Sequence, residues 1–110
     1  MTYYRLKKNK DFQRAFSSGK KIFAKDLMLI YLSYNCPAKV GYSISKKHGN
    51  AVKRNRIKRL LRAAFHEAAL PLKASENFKL TGLFVFLPKV SENYSFWTFK
   101  KQINFCLSKI

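Results

Sequence analysis

The middle of the chain contains a run in which basic and aliphatic residues recur with the period of an α-helix. The run extends from Ala51 to about Ala69, and its apolar positions are spaced i, i+3, i+4, i+7 and i+11: Ile57, Leu60, Leu61, Ala64 and Ala68. This spacing places them on one side of a helix, the side that a protein core covers. The polar and basic residues share the opposite side: Asn55, Lys58, Arg59, Arg62 and His66. The chain must therefore bury the back of this helix and expose a basic front.

The charge of the chain favours a polyanionic partner. Lys and Arg number 23 against 5 Asp and Glu, which gives a formal net charge of +18 over 110 residues. No acidic residue occurs between Leu27 and His66, so the excess is concentrated in the middle of the chain. Such asymmetry indicates nucleic acid or an anionic membrane more than a surface that is basic only for solubility.

Other classes of protein fit the sequence poorly. The longest apolar runs, Leu27 to Leu32 and Gly82 to Leu87, fall far short of the roughly 20 residues that span a bilayer. The N-terminus lacks the apolar stretch and cleavage site of a secretory signal, so we expect a cytoplasmic protein. Cys36 and Cys106 have no metal-ligand spacing, and we expect both to be small apolar fillers.

The first half of the chain predicts one helix and then strands. The helix is capped by Asn9, places Phe12 and Phe16 on one face, and ends at Gly19. A long strand follows over 22–34, with a split near Ala24 as the alternative. After a turn at 35–39, a second strand over 40–45 returns antiparallel.

The second half predicts helix, strand and helix. Asn50 can cap the basic helix, Pro71 lies just past its end, and a surface loop occupies 72–80. A buried strand covers 83–87, and Ser91 or Ser95 caps the last helix. That helix has its own buried stripe: Phe96, Phe99, Ile103, Cys106 and Leu107. The order α-β-β(-β)-α-β-α predicts an α+β fold with residues 1–110 as a single domain.

Three adjacent motifs resemble the bacterial ribonuclease P protein family. They are GYSISKK at 41–47, GNAV at 49–52 and RNRIKRLLR at 54–62, and weaker similarity extends over nearly the whole chain. The resemblance implies an α/β sandwich with a left-handed β-α-β crossover, whereas general rules favour the right hand.

The resemblance also implies two RNA-binding surfaces. In the family, the R-N-R helix and the connection before it contact the catalytic RNA. Carried over, these contacts fall to Lys46, Lys47, Asn50, Lys53, Arg54, Asn55, Arg56, Lys58, Arg59 and Arg62.

The second implied surface is a cleft between the first helix and the sheet, which takes the single-stranded 5′ leader of precursor tRNA. The positions assigned to the leader are Phe12, Phe16, Ile30, Ser43 and Lys89. Aromatic rings stack on unpaired bases of any sequence, which suits an enzyme with many substrates. The alternative is that the two phenylalanines are core residues.

The resemblance implies that the chain is the protein subunit of a ribonucleoprotein endonuclease. One protein is expected to bind one RNA. The RNA cuts off the leader with Mg²⁺ that it binds mainly itself. The residues alone provide no evident catalyst, because the acidic residues at 11, 26, 67, 76 and 92 are scattered. His48 and His66 lack an evident carboxylate partner. We therefore expect the chain alone to be inactive.

Three alternatives stay open on the residues alone. A structural RNA-binding protein, such as a ribosomal protein, would have a similar basic helix. An autonomous nuclease would cut without an RNA subunit. An amphipathic helix on a membrane surface would also carry such charges, although the core needs its narrow apolar stripe.

Overall fold

A computed structural model of the chain describes residues 3–73, 81–90 and 94–109. In chain order the elements are β1 (Tyr3–Arg5), α1 (Asn9–Ser18), β2 (Lys20–Phe23), β3 (Leu27–Tyr42), a 3₁₀ turn (Lys46–His48), α2 (Ala51–Lys73), β4 (Thr81–Pro88) and α3 (Phe96–Ser108). The α+β prediction is confirmed. None of the helices in these ranges combines the length and the apolar character that a bilayer crossing demands.

Strand β3 reverses its direction relative to β4 along its length. Residues 27–32, the first arm, pair with β4 in antiparallel register. From Lys39 opposite Leu83 onward, the paired residue numbers rise together, so residues 38–42, the second arm, run parallel to β4. Strand β4 therefore lies between the two arms of a single continuous strand.

The outer strands complete a mixed sheet of five strand segments. Strand β1 pairs in parallel with the second arm, and β2 pairs antiparallel with the first arm. The spatial order is β1, second arm, β4, first arm and β2. Strands β1 and β2 are thus the two opposite edges of the sheet.

Helices cover both faces of the sheet. Because side chains alternate along a strand, Phe84 and Phe86 of β4 point to the side of α2 and α3, while Leu83 and Val85 point to the side of α1. The larger core joins Phe65 of α2 to these two phenylalanines, with ring centroids 6.3 and 5.5 Å apart. The smaller core contains Leu6, Ala15, Ile30, Leu83 and Val85.

Several predicted boundaries are confirmed. The split near Ala24, the alternative to one strand over 22–34, is confirmed. Asn50 caps α2, because its Oδ1 accepts a hydrogen bond from the Lys53 N–H at 3.0 Å. Gly19 ends α1 with an ordinary negative φ. Its role is space, since a Cβ atom there would overlap the Ala15 carbonyl oxygen and lie 2.5 Å from Ile30 Cγ2.

Other boundaries were wrong. Strand β1 was not predicted. The turn predicted at 35–39 lies within β3, and the strand predicted to end at Ser45 ends at Tyr42. Asn9 is the first residue of α1 and not its cap, because the preceding residue holds the cap position. Helix α2 continues through Pro71 to Lys73. Proline has a helical φ, but at this position it removes the backbone hydrogen bond to the carbonyl of residue 67, so the last turn is held less tightly than the rest of the helix.

Three predictions fall partly or wholly outside the described residues. The predicted loop over 72–80 lies there from residue 74 onward. Ser91 also lies outside, whereas Ser95 holds the cap position of α3. The Cys36 side chain lies outside as well, while Cys106 is buried in the larger core, as predicted.

Candidate nucleic-acid interface

The polar side of α2 faces outward, as its periodicity predicts. We call this surface, formed by Asn55, Lys58, Arg59, Arg62 and His66, the α2 front. Arg59 and Arg62 are exposed and Lys58 is half-buried, whereas Ile57 and Leu61 on the back are buried at 3% and 0% exposure. The core holds the back of the helix, so the basic side chains start from a rigid support.

The connection before α2 presents further cations. Lys46 and Lys47 are exposed on the 3₁₀ turn. His48 is half-buried, and its Nδ1 lies 3.2 Å from the Ser45 carbonyl oxygen while its Nε2 lies 3.0 Å from that of Pro88. The imidazole thus ties the connection to the end of β4, which is a structural role.

The remaining predicted contacts on α2 differ in exposure. Asn50, Lys53 and Arg56 are exposed, and Arg54 is half-buried. The Arg54 Nε atom is buried and has no hydrogen-bond partner among residues 3–73, 81–90 and 94–109. A buried donor without a partner costs about 1–3 kcal/mol, which marks Arg54 as a residue whose position is not optimised for stability.

A groove runs along the β1 edge of the sheet and reaches the α2 front. It has a volume of about 440 Å³ and joins residues distant in sequence: Arg5, Leu6, Lys7, Phe12, Val40, Gly41, Tyr42, Lys58 and Arg62. We call it the basic groove. Its four cations come from β1, from the segment after it and from α2. Arg5, Lys7 and Tyr42 were not predicted as part of a site; the only signal in the sequence is that Arg5 and Lys7 flank an apolar Leu6.

Phe12 enters the basic groove because the sheet beneath it carries a glycine. A Cβ atom on Gly41 would lie 2.7 Å from Phe12 Cζ and 3.0 Å from Leu6 Cβ. The Phe12 ring is half-buried there and stacks with Phe16, with centroids 6.5 Å apart and planes 24° apart. Phe16 is exposed, so the pair presents aromatic surface beside the groove's cations.

The other predicted leader contacts differ from this pair in exposure and in bonding. Ile30 is 1% exposed beneath α1, so it supports the smaller core and cannot touch a ligand directly. Ser43 is half-buried, and its N–H donates to the Phe86 carbonyl oxygen at 3.0 Å. Lys89 is exposed just after β4, where its N–H donates to the Asp26 carbonyl oxygen at 2.8 Å.

Acidic side chains in the described part of the chain leave the arginines of the α2 front unneutralised. Within the described residues, no ion pair joins Arg59 or Arg62 to an acidic side chain. Asp11 Oδ2 is 3.6 Å from Lys39 Nζ, and neither residue belongs to the groove lining. No cluster of three His, Cys, Asp or Glu suited to a metal occurs in these ranges either. The cations of the groove would repel a divalent metal ion, so these residues do not fit one.

Comparisons with known proteins agree on one family. The family model described as "Ribonuclease P" matches residues 1–110. The ribonuclease P protein component of Listeria innocua is 38% identical over 103 residues, which are 91% of this chain and 82% of that protein. The counterpart in Listeria monocytogenes serotype 4a is 35% identical over 102 residues, again 91% and 82%.

Two solved structures are similar to this chain. The RNase P protein of Staphylococcus aureus has a TM-score of 0.78 at 26% identity and covers 96% of this chain and 94% of its own. The RNase P protein of Thermotoga maritima has a TM-score of 0.77 at 22% identity, with 96% of each chain covered. The second likeness concerns the fold alone.

Proposed function

Because this chain belongs to the family of bacterial ribonuclease P protein components, with a role beside the catalytic RNA in removing the 5′ leader of precursor tRNA, we propose that the α2 front binds that RNA. The outward row of Arg59 and Arg62 on a helix whose back is buried carries the proposal. Lys46 and Lys47 extend the row. A planar guanidinium can hold two phosphate oxygens, so a fixed row of arginines suits an RNA backbone.

Electrostatics sets the expected binding behaviour. If about six phosphates are neutralised, the logarithm of the binding constant falls with a slope of roughly −4 to −5 against the logarithm of salt concentration. A structural RNA-binding protein would show a similar slope. Salt dependence therefore measures how many phosphates are neutralised. An activity assay is needed to identify which RNA the protein binds.

We place the 5′ leader in the basic groove. Phe12 and Phe16 offer rings for unpaired bases, while Arg5 and Lys7, the two groove cations outside the α2 front, can contact the leader's phosphates. Lys89 and Ser43 contact the leader farther along its length. Ile30 acts only as support beneath α1, because it is buried. Stacking is worth roughly 1 to 3 kcal/mol per base and is indifferent to sequence.

The remaining features follow from the family. One protein binds one RNA in the cytoplasm, and residues 1–110 act as one domain. The connection from the second arm through α2 to β4 has the left-handed crossover that the family resemblance implies. Mg²⁺ belongs to the RNA, since the groove's cations do not suit it. The protein's own task is to reduce phosphate repulsion and to hold the leader.

The test is 5′ leader cleavage at low Mg²⁺ by a bacterial ribonuclease P RNA, with and without this protein. We expect stimulation by the protein and no cleavage by the protein alone. Arg59→Gln should lower the stimulation, whereas Lys10→Gln removes the same charge from the exposed side of α1 and should not. Absence of stimulation contradicts the proposal, and cleavage without RNA would indicate an autonomous nuclease.

A further inference from the structure

Three aromatic side chains are exposed on the side of the molecule away from the basic groove. Phe23, Trp97 and Phe105 are 64%, 70% and 47% exposed, and we call them the aromatic patch. Phe23 ends β2, the sheet edge opposite β1, and the other two lie on α3. Large aromatic rings that stay exposed to water do not contribute the free energy of burial. An exposed cluster of them therefore indicates a binding surface.

A groove of about 520 Å³ runs between β2 and α3 beside these rings. Its lining is Phe23, Ala24, Lys25, Asp26, Thr98, Lys101, Gln102 and Phe105. Trp97, Lys101 and Phe105 stand at i, i+4 and i+8, so they form one row along the exposed side of α3. The row spans about 12 Å along the helix axis.

The floor of this groove is fixed by a reciprocal pair of hydrogen bonds. Gln102 Nε2 donates to Asp26 Oδ2 at 2.6 Å, and the Asp26 N–H donates to Gln102 Oε1 at 2.6 Å. The one carboxylate in the lining is therefore engaged within the protein. Lys25 and Lys101 are exposed at its sides. The groove offers outside ligands positive charge and flat apolar rings.

Further lysines accompany the rings. Lys100 Nζ lies 5.4 Å from the centre of the Trp97 ring, and Lys109 Nζ lies 5.3 Å from that of Phe105. Phe96 packs edge-on against Trp97 at 5.1 Å, which restricts its rotation. Each exposed ring of α3 thus has a lysine ammonium over one of its faces, within reach of a phosphate bound beside the ring.

We propose that the aromatic patch binds single-stranded RNA at a second site, separate from the α2 front and the basic groove. Exposed rings flanked by lysines take up unpaired bases and their phosphates together, whereas a duplex hides its base faces. A second copy of this chain fits poorly, because it would bring Lys25 and Lys101 of both copies together. The two sheet edges are four strand spacings apart, about 19 Å, so one nucleotide cannot contact both sites.

The chain's single tryptophan makes the site directly observable. Trp97 is the only one in the sequence, so quenching of its fluorescence by a single-stranded oligoadenylate reports on the aromatic patch. We expect saturable quenching. Affinity should be at least about fivefold weaker in the double variant Phe23→Ala/Phe105→Ala than in the parent, and Lys101→Gln should also weaken it. Val90→Ala, an exposed apolar truncation outside the groove lining, should leave affinity unchanged.

The controls separate this site from the α2 front. Arg59→Gln should retain Trp97 quenching, and duplex RNA of the same length should quench far less. The proposal is overturned if the double variant binds oligoadenylate like the parent while its circular dichroism is unchanged. Loss of quenching in Arg59→Gln would equally overturn it. A concentration-dependent dimer that the double variant abolishes would assign the patch to self-association and reject RNA.

Discussion

The ring of Phe12 lies directly on the backbone of Gly41, where a Cβ atom would stand 2.7 Å from its Cζ. One residue lies on α1 and the other on the second arm of β3, so this contact sets the distance between helix and sheet. The basic groove depends on it, because both residues line that groove.

Gly41→Ala should therefore disturb leader binding without touching a charge. The methyl group forces Phe12 aside, and overpacking of this kind costs about 1–3 kcal/mol of stability. We expect the preference for precursor over mature tRNA to fall, measured as the ratio of their dissociation constants with the assembled ribonucleoprotein. Pairing Gly41→Ala with Phe12→Leu should recover stability but not the preference. If Gly41→Ala leaves the preference unchanged, the basic groove does not bind the leader.

Arg59→Ala and Phe16→Ala should affect different steps. Loss of one phosphate contact at Arg59 should weaken binding to the catalytic RNA by about tenfold and lower the salt slope by about one. Phe16→Ala should mainly reduce discrimination between precursor and mature tRNA. Filter binding over a range of salt concentrations checks both variants. Equal loss of both properties in both variants would remove the distinction between the surfaces.

Cys106 should be protected from alkylation. Burial raises the pKa of its thiol from 9.0 to about 11. At pH 8 only about one molecule in a thousand then carries the reactive thiolate. Iodoacetamide followed by peptide mass spectrometry should find Cys106 unmodified in the native protein and modified in urea. Rapid native modification would contradict its burial.

The same shift predicts a dependence of stability on pH. The folded protein holds the thiol proton more tightly than the unfolded chain, so the contribution of Cys106 is complete below pH 9 and is lost as the pH rises toward 11. Urea unfolding of the parent and of Cys106→Ala at pH 8 and pH 10.5 measures it. The parent should lose more stability than the variant between the two pH values.

Asn50 and Asn55 offer a matched pair for the start of α2. Asn50 Oδ1 accepts the Lys53 N–H, so Asn50→Ala should reduce the free energy of unfolding by about 0.5–2 kcal/mol. Asn55 is exposed within the helix, where alanine is a better helix former, so Asn55→Ala should be neutral or slightly stabilising. Urea titration compares them. Equal effects would mean that the cap contributes nothing.

Features that depend on a few neighbouring residues were predictable. The 3.6-residue period of α2 places Ile57 and Leu61 inward and Arg59 outward, whatever the rest of the chain does. The cap at Asn50 and the helix end at Gly19 are equally local. The period did not reveal the extent of the buried side, because Phe65 was left out although it is fully buried.

Local patterns by themselves thus determined that one helix presents a basic front on an apolar back, and the family motifs within it indicated what that front binds. Tertiary structure alone decided that Arg5 meets Arg62 in one groove, since that requires β1 to pair with the second arm and β4 to lie between the arms. It also decided that Ile30 is covered by α1. A strand apolar on both faces carries no signal for which face a helix will cover, because that depends on packing between residues far apart in the chain.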